Sequence, residues 1–209
     1  MPYKRDSICA PEQAQYTHPS VHIQVSHNAT SSLTAKNMAT SQLFHTSFTD
    51  PSLPVLNFPG LYIPQSVWVP AAGPRDWERM HTIRFTQNGR QGINLGDAYR
   101  RNFNGMPDGQ VIPCTSTTSQ RVAIRINWPG YEPWHKHVNV ANNSEHINKA
   151  RLAYEVAKEV HRFYSEMGHN RGQERDWRVE VVPFEQLVLI ELRHVGTGSW
   201  QPVLARAMS

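Results

Sequence analysis

The sequence has only two cysteines, Cys9 and Cys114, in 209 residues. They lie far apart and show no metal-ligand spacing, which argues against a disulfide framework or a cysteine-based zinc site. The sequence also has no apolar run of about eighteen residues, the length that a membrane span requires. The first residues lead into no apolar stretch, so we expect no signal peptide and an intracellular protein, either cytoplasmic or nuclear.

A recognisable catalytic motif is also lacking. Cys114 does not have the surroundings of a cysteine nucleophile, and no Gly-x-Ser-x-Gly elbow occurs. The glycine turn at 89–92 lacks the Lys and Ser/Thr of a phosphate-binding loop. We therefore expect no cofactor, and the sequence favours a non-enzymatic intracellular binding or scaffold protein over an enzyme.

Composition divides the chain into three parts. Residues 1–50 are rich in Ser, Thr, Asn, Gln and His and show no sustained hydrophobic period, which predicts a disordered or loosely attached arm. Residues 51–76 are apolar and contain six prolines, which forbid a long helix or a central strand. We expect this segment to pack along the edge of a folded domain formed by residues 77–209. A docking segment for a partner is the alternative.

The strongest local pattern predicts a helix over about residues 145–167. Apolar residues recur there at steps of three and four, Asn142 or Ser144 can cap the start, and Gly168 can end the helix. A shorter helix is predicted over 93–103, with Asn94 as its cap.

Strands are predicted on both sides of these helices, at 81–86, 121–126, 134–140, 179–183, 187–195 and 200–205. The fold class that follows is α+β: a small mixed or antiparallel sheet packed on one long and one short helix, with an irregular N-terminal arm. The order β-α-β-β-α-β is one arrangement that these elements allow.

An aromatic bend, defined as residues 126–134, connects the strands 121–126 and 134–140. A tight two-residue turn would place His135 beside Ile124, whereas a five-residue loop places Trp134 beside Ile126. The five-residue loop keeps one face of the hairpin apolar, so we prefer that register. The bend is then either a packed corner of the core or an exposed recognition surface.

The excess of arginine suggests a second class of partner. Of the 21 basic residues sixteen are arginine, whose planar fork suits phosphate and aromatic faces. Aromatic side chains that stack on bases, with cations that neutralise phosphates, would make a nucleic-acid-binding module. The candidate side chains are Trp128, Tyr131, Trp134, Arg125, Lys136 and Arg193. Core packing of the aromatics is the competing interpretation. The partner is therefore unknown from the sequence, with protein and nucleic acid both open and no membrane expected.

His135 and His137 lie two residues apart on one predicted strand, so their side chains share a face. Such a pair can hold a metal if a third ligand arrives from elsewhere, and His194, Glu191 and Asp176 are candidates for it. A metal-dependent hydrolase is therefore a remote alternative. Two solvent-facing histidines near Arg125 are the simpler interpretation.

Five separated stretches within residues 81–204 resemble an uncharacterised family of proteins from mushroom-forming fungi. They read GRQGI at 89–93, RINWPGY at 125–131, LAYEVA at 152–157, DWRV at 176–179 and HVGTGSWQP at 194–202. No activity is established for that family, so the resemblance implies no functional residues. Residues 1–76 lie outside it.

Overall fold

A computed structural model describes residues 58–70, 80–113, 119–142 and 145–208 of the chain. All of them belong to one compact unit, Asn37–Ser209. The arm predicted at 1–50 lies outside the described residues, as do Cys9 and Cys114.

The described residues form eleven short or medium strands and two α-helices. The helices are α1 (Leu95–Tyr99) and α2 (Lys149–Met167). The strands are β1 (Gly60–Tyr62), β2 (Ile83–Arg84), β3 (Thr86–Gln87), β4 (Arg90–Gln91), β5 (Ile93–Asn94), β6 (Arg121–Ile126), β7 (Trp134–Asn139), β8 (Ala141–Asn142), β9 (Glu145–His146), β10 (Leu187–Gly196) and β11 (Ser199–Ala207).

The main sheet has the order β2-β10-β11-β6-β7, with β1 beside β11 and β5 beside β10. Strand β11 runs parallel to β6, and the other neighbours are antiparallel, so the sheet is mixed. One long helix and one short helix accompany the sheet. The predicted α+β class is therefore confirmed.

Helix α2 ends as predicted but begins four residues later than expected. The side chain of Asn148 accepts a hydrogen bond from the backbone N–H of Arg151 at 2.8 Å, which makes Asn148 the N-cap. The residues before it form the small hairpin of β8 and β9. At the other end, the N–H of Gly168 donates to the carbonyl of Tyr164.

The apolar stripe of α2 packs on one face of the main sheet. Ala153, Val156, Ala157, Val160 and Phe163 are fully buried there, in the same cluster as the inward-facing residues of β6, β10 and β11. Successive side chains of a strand point to opposite faces of a sheet, so every second side chain of the main sheet lies on the face away from α2.

The predicted cap of the short helix is confirmed near the start of the domain. Asn94 caps α1 by accepting from the N–H of Asp97 at 3.0 Å, although α1 ends at Tyr99 rather than near residue 103. Strands β3 and β4 turn at Asn88 and Gly89, both with positive φ.

The hairpin of β6 and β7 has the predicted register. Ile126 pairs with Trp134 and Val122 pairs with Val138, so the apolar face is continuous. This face packs against α2, and the aromatic bend closes the hairpin.

The C-terminal hairpin was also predicted in outline. Strand β10 is almost entirely buried and pairs with β11 across a turn at Gly198. The strand predicted at 179–183 is wrong. The backbone N–H groups of Val181 and Val182 both bond to the carbonyl of Arg178, which makes a turn there.

The described part of the proline-rich segment, residues 58–70, extends the main sheet and covers part of the sheet face opposite α2. Its strand β1 pairs with β11, so the main sheet begins at Gly60, before residue 77. Phe58 and Tyr62 pack against a small second cluster of Val188, Ile190 and Ala205. None of the helices in the described residues is long and apolar enough to cross a membrane.

Candidate ligand-binding cleft

The two tryptophans of the aromatic bend belong to the core. Trp128 is only 1% exposed and its ring packs against Phe163 of α2, with centroids 5.7 Å apart. Its indole N–H donates to the carbonyl of Trp177 at 2.5 Å. Trp134 is 7% exposed and contacts Phe163 edge-to-face. Neither ring therefore offers a face on which a base could stack in this structure.

Trp134 also favours the ionised form of a neighbouring carboxylate. Its indole N–H donates to Glu166 at 2.7 Å, and this hydrogen bond lowers the pKa of Glu166. Lys136, 3.5 Å from the same carboxylate, lowers that pKa further. The polar edge of Trp134 is thus satisfied at the surface of α2 while its ring stays in the core.

Tyr131 joins the bend to a loop formed by residues 172–177. Its hydroxyl accepts from the backbone N–H of Val179 at 3.2 Å, and its ring covers Gly172 so closely that a Cβ there would lie 2.4 Å from it. The N–H of Gln173 donates to the carbonyl of Gly130 at 3.0 Å. These contacts hold the loop against the bend in a fixed arrangement.

The proline-rich segment reaches the bend from the other side. Gln65 accepts from the N–H of Asn127 at 3.1 Å, and the side-chain amide of Asn127 donates to the carbonyl of Ser66 at 2.9 Å. The other end of that amide, the oxygen Oδ1, is buried and has no hydrogen-bond partner among the residues that the structure describes. Three segments distant in sequence therefore meet around the aromatic bend.

These three segments enclose a cleft of about 540 Å³, which we call the aromatic cleft. Most of its walls are apolar, with aromatic rings and prolines from all three segments. Its lining residues are Leu61, Tyr62, Pro64, Ser66, Asn127, Trp128, Pro129, Gly130, Tyr131, Pro133, Glu174 and Trp177. A concave apolar surface with a few polar groups is the usual form of a ligand site.

A second cleft of about 560 Å³ adjoins the first, and we call it the polar cleft. Gly130, Tyr131 and Glu174 line both, so the two clefts lie on either side of the contact between bend and loop. The polar cleft adds charged side chains, namely Glu132 and Arg171.

The predicted cationic residues do not come together. Arg125 and Arg193 lie on the sheet face opposite α2, whereas Lys136 lies on the α2 side, where it pairs with Glu166. The guanidinium of Arg125 stacks 3.7 Å from the ring centroid of Trp68 and donates to Ser199, and its burial lowers the pKa of Arg125. Arg193 is paired with a buried carboxylate, that of Glu191.

His135 and His137 are exposed on β7 with ring centroids 6.0 Å apart, on one face as predicted. No third ligand joins them, since no group of three His, Cys, Asp or Glu residues in the described ranges could hold a metal. Among the proposed ligands, His194 is buried against Trp200 and accepts from the N–H of Met80, and Glu191 is held by two arginines.

Partial desolvation lowers the pKa of His135, although much of the side chain is exposed. The positive charge of Arg125, its cross-strand partner, lowers it further, and His137 and Lys136 act in the same direction. His135 therefore resists protonation in the folded protein.

The sequence identified two lining residues of the aromatic cleft, Trp128 and Tyr131, and missed others. Trp177 and Glu174 belong to a loop that the sequence did not connect with the aromatic bend, and Tyr62 belongs to the proline-rich segment. The sequence of that segment could have pointed to the cleft, because apolar residues between prolines suggest a docking element.

Comparison of the chain with known protein families, with curated proteins and with solved structures finds no match. The resemblance to a fungal family therefore depends on the five sequence stretches alone.

Proposed function

We propose that this protein is a binding protein and that the aromatic cleft is its ligand site. The observation that carries the proposal is the cleft itself, a concavity of about 540 Å³ lined by rings and prolines from three distant segments. The hydrogen bonds that Asn127 donates and the one that the Tyr131 hydroxyl accepts set these walls in place before any ligand arrives. A site that is already formed loses less entropy when a ligand binds.

Nucleic-acid binding receives less support from the same residues. The rings of Trp128 and Trp134 are buried, and Lys136 lies on the opposite sheet face from the other two candidate cations. Base stacking needs exposed rings beside a positive groove. The aromatic cleft instead has a carboxylate, Glu174, at its border.

The test uses a neutral apolar fluorophore, 1-N-phenylnaphthylamine, titrated into the native full-length protein. We expect saturable binding that Leu61→Ser weakens, since Leu61 lines the cleft and is 53% exposed, so that its loss leaves the core intact. Val69→Ser is the matched control, because Val69 is 61% exposed on the same segment and does not line the cleft. Absent binding, or equal effects of the two substitutions, would contradict the proposal.

A further inference from the structure

We infer that the aromatic cleft binds a proline-rich peptide in the polyproline II conformation, with a basic residue of that peptide against Glu132 and Glu174. This inference rests on the proposed function and names the class of partner. It follows from the shape and chemistry of the walls, from the polar groups among them, and from the charge of the adjoining polar cleft.

The walls of the aromatic cleft match the side chains of such a peptide. Tyr62, Tyr131 and Trp177 supply aromatic rings, and Pro129 and Pro133 add rigid apolar surface. Proline-rich segments dock into grooves lined by aromatic residues, where the apolar proline rings pack against the aromatic rings. Their conformation is largely formed before binding, so little entropy is lost on docking.

A polyproline II backbone makes no internal hydrogen bonds, so its carbonyl groups need donors. The cleft offers donors beside its apolar walls. The hydroxyl of Ser66 and the indole N–H of Trp177 make no hydrogen bond within the described residues. A peptide that contains proline has fewer N–H groups of its own, so its binding depends more on donors supplied by the site.

The polar cleft gives the partner its expected charge. Glu174 borders both clefts and Glu132 lines the polar cleft, and both are exposed and without an ion pair among the described residues. Arg171 lines the same cleft, so the side chains that line it include two carboxylates and one guanidinium. A lysine or arginine that follows the proline-rich stretch would meet this negative excess. An acidic flank would be repelled, which gives discrimination between partners.

The experiment measures fluorescence anisotropy of labelled peptides with the full-length protein. The probe is a peptide of repeated Pro-Pro-Leu-Pro units flanked by arginine at both ends. Its counterparts carry glutamate at the flanks or alanine in place of proline. We expect the arginine-flanked peptide to bind more tightly than either counterpart, by about two- to fivefold over the glutamate peptide for each rim charge.

Substitutions in the protein locate the binding. Trp177→Ala should lower the affinity for the arginine-flanked peptide more than about tenfold, as expected when an aromatic anchor is removed. Leu61→Ser should also lower this affinity, with less risk to folding, and Val69→Ser should leave the affinity unchanged. The pair Glu132→Gln and Glu174→Gln should remove the preference for arginine flanks. Glu145→Gln is the matched control, because Glu145 is exposed on β9 and lines neither cleft.

Failure of the inference and failure of the proposed function give different results. If the neutral fluorophore binds at the cleft but the proline peptides do not, the inferred partner is wrong and the proposed ligand site is retained. Equal binding of proline and alanine peptides overturns the inference as well. A peptide with the chain's own sequence FTDPSLPVLN, residues 48–57, provides one further outcome. If it binds more tightly than the arginine-flanked peptide, the occupant is this chain's own segment, and the inferred partner is wrong.

Discussion

At the scale of single residues, Trp128 connects the core to the cleft. Its ring fills space between Phe163 and Tyr164 of α2, and its indole N–H reaches the backbone of Trp177 in the loop at 172–177. Burial and a satisfied donor together explain why the ring is part of the core although the residue borders the aromatic cleft. The sequence identified Trp128 as important and left its role open.

The first prediction concerns this side chain. Trp128→Phe keeps an aromatic ring but removes the indole N–H and leaves a small void, so we expect the free energy of unfolding to fall by about 1–3 kcal/mol. Urea denaturation measures it. Val69→Phe, an apolar substitution at an exposed site, should change the free energy of unfolding by less than about 0.5 kcal/mol. A Trp128→Phe protein of unchanged stability would show that the indole hydrogen bond and packing contribute little.

The second prediction concerns His135, whose pKa is lowered in the folded protein by partial desolvation and by Arg125. In the unfolded chain its pKa returns to about 6.5. Below that pH the unfolded state binds more protons than the folded state, so protonation favours unfolding. The stability advantage of wild type over His135→Gln should therefore be complete above about pH 6.5 and decline as the pH falls towards the lowered pKa.

Urea denaturation of both proteins across this pH range tests the prediction for His135. NMR titration of the His135 ring measures the pKa directly. Arg125→Gln removes the positive charge that lowers the pKa of His135, so this pKa should rise towards the ordinary value of histidine. A His135 pKa above that of a free histidine would contradict the arrangement around Arg125.

At the scale of elements, the β6–β7 hairpin was predictable and the start of α2 was not. The hairpin register followed from keeping Val122, Ile126, Trp134 and Val138 on one face, because a slip of one residue would bury polar side chains. Before α2 the sequence offers several possible caps close together. The choice of Asn148 depends on distant groups, since the N–H groups of the first helical turn bond to the carbonyls of Val111 and Gly109.

The third prediction concerns the turn that connects β6 and β7. Gly130 has a φ of +77°, and a Cβ there would lie 2.4 Å from the backbone nitrogen of Glu174. Gly130→Ala should therefore displace the loop at 172–177 and distort both clefts. Gly89→Ala is the matched control, with a φ of +71° and open space around the added Cβ.

We expect Gly89→Ala to lower the free energy of unfolding by about 1–2 kcal/mol, the cost of the left-handed conformation. Gly130→Ala should cost at least about 1 kcal/mol more because of the clash. It should also weaken binding of 1-N-phenylnaphthylamine, which Gly89→Ala should leave unchanged. Equal losses of stability in the two variants would mean that the loop moves away freely from Gly130.

At the scale of the whole molecule, residues 58–70 belong to the folded structure. Strand β1 extends the sheet beside β11, Ile63 is buried in the main core, and Gln65 donates to the carbonyl of Pro202. Trp68 covers Arg125 and Gly196. The segment therefore extends the sheet, covers part of the face opposite α2 and supplies one wall of the aromatic cleft.

The fourth prediction compares two truncations. Removal of residues 1–50, whose composition predicts no contribution to a core, should leave the midpoint of urea denaturation unchanged. Removal of residues 1–66 also deletes β1 and Ile63, so we expect a loss of at least about 2 kcal/mol in the free energy of unfolding. If both truncations reduce stability equally, residues 1–50 contribute to the fold. If neither does, the contacts of β1 are dispensable.

The sequence by itself determined the local elements of this protein. The apolar stripe of α2, the register of β6 and β7, and the turns at Asn88 and Gly198 depend on periodicity and on residues close together in the chain. Only the tertiary structure decided where the proposed ligand site lies. The aromatic cleft combines side chains near residues 61–66, 127–133 and 174–177, and no local pattern encodes which distant segments meet. Burial likewise settled the role of Trp128 and Trp134, because exposure depends on what packs against a ring and not on the ring itself.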